Sequence, residues 1–233
     1  MKQLLLAGYL VMTSITGMAQ STEIIRVPAG GDLGAAISIY GLYRLPAFVQ
    51  GNVYFRDGSL GKEWMNYNLL TAKMQYLSKG DTLDITDIAS IAKVQMGNLI
   101  FHVVDKRWME QLATAAPISL LVERTVGIRF ERKGAFGNTD PSGSITSYNS
   151  FVAGAGTGNA SYRLQVNEDA VVKKQNRYYL LGADGAAVPA TRKGFFQVFP
   201  KRAEPITAYL ERVKTDFGKI EDLLQLLSVA TGK

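Results

Sequence analysis

Cysteine is missing from this chain, and histidine nearly so: 233 residues hold no Cys and one His. Without Cys there is no disulfide, no thiolate metal site, no thiol nucleophile and no thiol redox chemistry. With one His, a two-histidine metal site is excluded. Beyond the first twenty residues no apolar run approaches the roughly 20 residues that a membrane-spanning helix needs. What remains is a composition that folds: 47% of residues are hydrophobic, above the range of disordered chains. Lys and Arg number 26 against 20 Asp and Glu, a formal net charge of +6.

The first residues carry an export signal pattern. Lys2 supplies a short positive segment, and Leu4 to Ile15 supplies an apolar stretch of signal-peptide length. Gly17 and Ala19 place small residues at −3 and −1 of a cut before Gln20. Removing the first 19 of 233 residues leaves 214, ample for a hydrophobic core. No Cys follows the cut, so a lipid anchor there is excluded. The absence of disulfides in an exported chain points to a bacterial envelope, periplasmic or secreted. In that setting the basic balance favours an envelope protein, an anionic lipid or an acidic glycan as partner, and not nucleic acid. An ordinary soluble surface would carry the same charge.

Along the mature chain, Ala35–Tyr40 suits a short helix or strand. From Ala47 to Phe130, β-forming runs alternate with turn signals at Asp57-Gly58, Lys79-Gly80-Asp81 and Gly97-Asn98. The spacing predicts strands over 48–55, 64–70, 73–78, 82–85, 99–104, 118–122 and 126–130, with 88–94 ambiguous. Turns this short allow only antiparallel pairing. Residues 134–160 are rich in Gly, Ser, Thr and Asn and predict a long loop or insertion. Strands are expected again at 161–166, 170–174 and 177–181, the last two joined by a turn at Gln175-Asn176. Ile206, Tyr209, Leu210 and Val213 fall on one helical face, and Ile220, Leu223, Leu224 and Leu227 begin a second stripe. Gly218 suits a helix stop between them. The expected fold is therefore α+β: a mainly antiparallel sheet, barrel-like or a sandwich, with two C-terminal helices at about 203–230, in one domain over 20–233.

Chemistry-bearing sets are sparse. His102 alternates with Phe101 and Val103 and so faces away from them, as a half-exposed strand histidine would. Asp81, Asp84 and Asp87 lack the ligand spacing, Gly and Glu of a calcium loop and suit a polar strand edge. Gly154 to Gly158 leads into a strand with no Lys-Ser or Lys-Thr pair, unlike a phosphate loop. Glu123 and Glu131, expected on successive strands, could neighbour each other as a glycosidase pair must. Arg124, Arg129 and Arg132 nearby would neutralise them as surface pairs. No metal or cofactor is expected. The best candidate for ligand binding is basic and aromatic: Lys173, Lys174, Arg177 and Tyr178 around the expected hairpin turn, with Arg192 and Lys193 following. Cations beside aromatic rings suit anionic or sugar-bearing ligands.

The stretch Gly51-Asn52-Val53-Tyr54-Phe55-Arg56-Asp57-Gly58, followed by Met65-Asn66-Tyr67-Asn68, resembles uncharacterised exported β-rich proteins of Gram-negative envelopes. Their closing helix pair is similar to Ile206–Val213 and Ile220–Leu227. The resemblance covers 47–130 and 161–230, leaves 134–160 unmatched, and implies an envelope location without an activity.

Three functions follow as expectations: a non-enzymatic binding or interaction protein; a hydrolase of glycan or lipid using Glu123, Glu131 or His102; or an accessory subunit of an outer-membrane complex that contacts its neighbours through 134–160.

Overall fold

The computed structural model describes residues 24–133, 139–140 and 169–232. The expected signal at 1–19, the glycine run at 154–158, the strand at 161–166 and nearly all of the expected loop at 134–160 lie outside the described residues.

The chain begins with strand β1 (Ile24–Val27) and helix α1 (Leu33–Tyr40), then runs through β2 (Val49–Phe55), β3 (Leu60–Asn68), β4 (Lys73–Ser78), β5 (Asp81–Asp84), β6 (Ile91–Met96), β7 (Leu99–Val104), β8 (Arg107–Ala115) and β9 (Ile118–Lys133). After the short β10 (Thr139–Asp140) come β11 (Asp169–Leu181) and β12 (Ala187–Pro189). Helices α2 (Arg192–Val198), α3 (Ala203–Arg212) and α4 (Ile220–Thr231) follow. The strands form an open sheet in the order β1-β11-β9-β8-β7-β6-β2-β3-β4-β5, with β10 and β12 attached to β9 and β11. The main pairings are all antiparallel, as the short turns require. The α+β class is thus observed, with a third C-terminal helix, α2, ahead of the expected two.

The sheet curls on itself. β-bulges at Tyr54/Phe55 and Gln111/Ala113 bend it. The end of β3 reaches the middle of β9, where Val126 N donates to the Leu69 carbonyl at 2.8 Å and Tyr67 Oη donates to the Arg124 carbonyl at 3.1 Å. Inside the curl a first core forms from Val53, Met65, Tyr67, Met74, Val94, Met96, Phe101 and Trp108, with Leu33, Ala36 and Ile37 of α1 against Val126, Ile128, Ala170 and Val172. Gly51 is required here, because a Cβ would sit 2.7 Å from the Met65 sulfur. A second core lies on the same face of the far halves of β9 and β11. There Leu120, Val122, Tyr178 and Leu180 pack on Phe195, Ile206, Leu223, Leu226, Leu227 and Ala230 of the three helices. Each fully buried Leu, Ile, Val or Phe there contributes about 1.5–3 kcal/mol. α2 is capped by Thr191, whose hydroxyl accepts from Gly194 N at 3.2 Å. Gly194 itself lets the helix lie directly on β12, since a Cβ would come within 2.0 Å of the Pro189 carbonyl oxygen.

Several local expectations are corrected. β9 is one strand of 16 residues, where two were expected, and β11 is one strand of 13, with no turn at Gln175-Asn176. Both misreadings have one cause: Glu123-Arg124-Thr125 and Lys173 to Arg177 interrupt the apolar pattern where the ladder passes between the two cores. β8 was not anticipated at all. The ambiguous 88–94 resolves into a 3₁₀ turn (Ile88–Ser90) and the start of β6. α3 stops at Val213, and Gly218 lies in the connection to α4. Of the second stripe, Leu224 is exposed and Leu226 takes its place in the core.

Candidate functional site

Because β9 and β11 run unbroken past both cores, their polar middles are carried at a fixed place on both faces of the sheet. Even-numbered residues of β9 and β11 face inward, toward the cores; odd-numbered ones face out. The paired register Glu110–Val122, Arg124–Asn176 and Glu123–Arg177 aligns the charged residues laterally.

On the inner face, between the two cores, Glu110 of β8 meets two arginines. Arg44, in the segment after α1, grips it with both prongs, Nε to Oε2 at 2.7 Å and Nη2 to Oε1 at 2.9 Å. Arg124 Nε donates to the same Oε2 at 2.9 Å. Burial pushes the Glu110 carboxyl up, but the bonds and charges of Arg44 and Arg124 outweigh it and hold it below the ordinary carboxylate value. The same hydrogen bond to Glu110 raises the Arg44 guanidinium, against the opposing pull of burial. Two cations and a carboxylate held below its ordinary range by their hydrogen bonds have no proton to exchange near neutrality. The arrangement clamps the segment after α1 to the middle of the sheet.

On the outer face the same strands carry a second set. Glu123 accepts from Arg107 Nη1 at 3.3 Å and from Tyr179 Oη at 3.3 Å, with Arg177 Nη1 at 3.8 Å. Arg107 Nη1 also donates to Tyr179 Oη at 2.9 Å. Further along, Glu131 accepts from Arg26 Nη1 at 3.0 Å and from Arg129 Nη2 at 2.6 Å. The carboxylates are sunk at the sheet, each 9% exposed, while their cations stand out: Arg26 is 71% exposed, Arg177 59% and Arg129 42%. Lys173 lies between them, exposed, opposite Ile24 and Gly127. The result is a cationic stripe across β1, β11 and β9, with Asp169 at one end.

The structure therefore separates the residues singled out in the sequence. Lys173 and Arg177 share the outer stripe. Lys174 faces the opposite way and is exposed on the inner side. Tyr178 is in the helical core, where burial pushes its phenol up despite Arg124 and Asn176. Arg192 and Lys193 open α2 on the helical side, Arg192 lying 5.9 Å over the Phe196 ring. His102 faces outward as expected and shares a 2.8 Å hydrogen bond with Gln111. Glu123 and Glu131 are not on successive strands: they stand eight residues apart on one strand, about 26 Å at 3.3 Å per residue, much farther than a glycosidase pair. Asp81 and Asp84 belong to an edge strand, Asp84 bound to Lys73 and Gln75. Two open clefts of about 550 and 520 Å³, at Lys214–Asp222 and around Arg56, Ile88 and Lys106, include neither glutamate nor His102 in their walls.

Sequence reasoning missed Glu110 and the cationic partners Arg26 and Arg44. The available signal was the two-residue spacing of Trp108 and Glu110, which sets a carboxylate on the face of a buried indole. Arg129 does neutralise Glu131, as its proximity suggested, whereas Arg124 turns inward to Glu110.

Comparison with protein-family models, with curated proteins and with solved structures finds no match to this chain.

Proposed function

We propose that this chain is an exported envelope protein that binds an anionic partner through the outer stripe of β1, β11 and β9, without carrying out chemistry of its own. One observation supports the reading above others: Arg26, Arg129, Lys173 and Arg177 project from one face of the sheet, while Glu131 and Glu123, which pair with the three arginines, are sunk beneath. Exposed cations over sunken counter-charges present a positive surface at little cost in stability, and such a surface steers and orients an acidic partner. Lys174, Tyr178, Arg192 and Lys193 fall outside this surface. The hydrolase alternative loses its paired carboxylates to the separation of Glu123 and Glu131.

The test is native mass spectrometry of the mature protein gently purified from its host's envelope fraction, beside the double variant Lys173→Glu/Arg177→Glu. The expected result is an anionic species bound to the wild type and absent from the variant. The same species retained by the variant would overturn the assignment.

A further inference from the structure

A second surface, apart from the cationic stripe, carries a different chemistry. On the outer face of β3, β2, β6 and β7 the register sets side chains in lateral rows. Gln50 stands opposite Trp64, and Leu77 lies one step beyond the Met65–Tyr76 pair on Trp64's far side. Lys62, Asn52, Gln95 and Ile100 make the next row, and Leu60, Tyr54, Lys93 and His102 the third. Trp64 is 55% exposed and Leu60 54%, although both sit within a regular strand whose other face builds the core. Lys93 Nζ lies 4.7 Å over the Tyr54 ring, whose hydroxyl donates to Gln95 Oε1 at 3.4 Å. A ridge borders the Trp64 end: Asn66, fully buried, accepts from Leu45 N at 3.1 Å. It also donates to the Leu45 and Ala47 carbonyls at 2.9 and 3.0 Å, holding residues 43–48 proud of the sheet.

These rows contain an exposed indole, three amide side chains and two ammonium groups, and no carboxylate. An indole offers a flat apolar surface for the C–H face of a sugar ring. Amides supply both donors and acceptors, which hydroxyl groups require. Lys62 and Lys93 complement an anionic substituent. A protein partner fits less well, because Lys is depleted from the centres of protein interfaces and the apolar area here is broken up by amides. We infer that this face is a docking surface for an acidic polysaccharide, a uronate-bearing chain stacked on Trp64 with its carboxylates toward Lys62 and Lys93. The inference goes beyond the stripe and does not depend on it.

The chain's two tryptophans make the test direct, since Trp108 is 3% exposed and buried in the first core while Trp64 is open. Sodium alginate oligosaccharide is titrated against the full chain, reading indole emission and its quenching by acrylamide. Neutral dextran and poly-glutamate serve as controls. The expected result is protection of the exposed indole by alginate, weaker with poly-glutamate and absent with dextran. Affinity should fall at least tenfold in Lys62→Ala/Lys93→Ala and in Gln50→Ala/Asn52→Ala, read by calorimetry. It should fall similarly in Trp64→Ala, while Lys173→Glu/Arg177→Glu keeps it within about twofold. Equal protection by poly-glutamate would replace the glycan with an acidic protein and overturn the inference. Alginate binding that survives Trp64→Ala but is lost in Lys173→Glu/Arg177→Glu would overturn it while leaving the stripe standing. No protection by alginate would also overturn it.

Discussion

Two arginine–glutamate groups stand back to back across β8, β9 and β11, and they differ in nearly everything but composition. On the inner face, Glu110 is 4% exposed at its side chain, and its partners Arg44 and Arg124 are 29% and 20% exposed. On the outer face the glutamates are almost as deeply buried, but Arg26, Arg129 and Arg177 reach into solvent. A cation enclosed with its counter-charge is committed to that contact; one that only tips toward a sunken carboxylate keeps its outer surface for another ligand. The inner group is therefore built for folding, while the outer group leaves its cations free for the recognition proposed above.

The largest effect should come from Glu110→Ala. It strands two partly buried guanidinium groups between the cores, and loss of one member of such a network costs about 3–5 kcal/mol. Urea unfolding followed by circular dichroism would measure it, and a loss near zero would show that the inner group does not hold the fold together. Acid should act next. Because the folded-state carboxyl of Glu110 lies below its unfolded value, the unfolded chain binds the extra proton. The seam's contribution is complete above the ordinary glutamate value of 4.5 and fades as pH falls through the lowered folded one. Glu110→Gln should accordingly flatten the acid limb of the stability profile, whereas a limb unchanged by that variant would place the acid sensitivity elsewhere. The smallest effect is expected on the outer side: Lys173→Glu/Arg177→Glu should cost about 1 kcal/mol, the like charge set opposite Glu123 being offset by Arg107 and Tyr179, which still hold that carboxylate. A loss of several kcal/mol in the same urea series would show that the stripe, too, is structural.

Strand existence and direction were legible because turn glycines and alternating apolar residues are local signals. Asp57-Gly58 and Gly97-Asn98 lie at hairpins as expected, and the closing helices follow their stripes at Ile206 and Leu223. What was not legible is what depends on two cores sharing one ladder. Arg124 in β9 and Asn176 in β11 look like turn residues in one dimension; in three they are the seam where one core ends and the next begins. β8 escaped notice because Glu110 breaks its alternation, and the partner that makes a carboxylate tolerable there, Arg44, is 66 residues distant. The basic run at 173–177 was visible, but a hairpin would have gathered its side chains, and a continuous strand divides them between faces. The face around Trp64 required the register of four strands, which no local pattern supplies.

Lys173 and Lys174 are adjacent, both exposed and equal in charge, yet they stand on opposite faces. Lys173→Glu and Lys174→Glu therefore change net charge identically and test the assignment of faces alone. The decisive measurement is the salt concentration at which each variant elutes from immobilised dextran sulfate, compared with the wild type. Lys173→Glu should elute markedly earlier and Lys174→Glu close to wild type. Equal shifts for the two would mean that binding follows net charge and not the outer stripe.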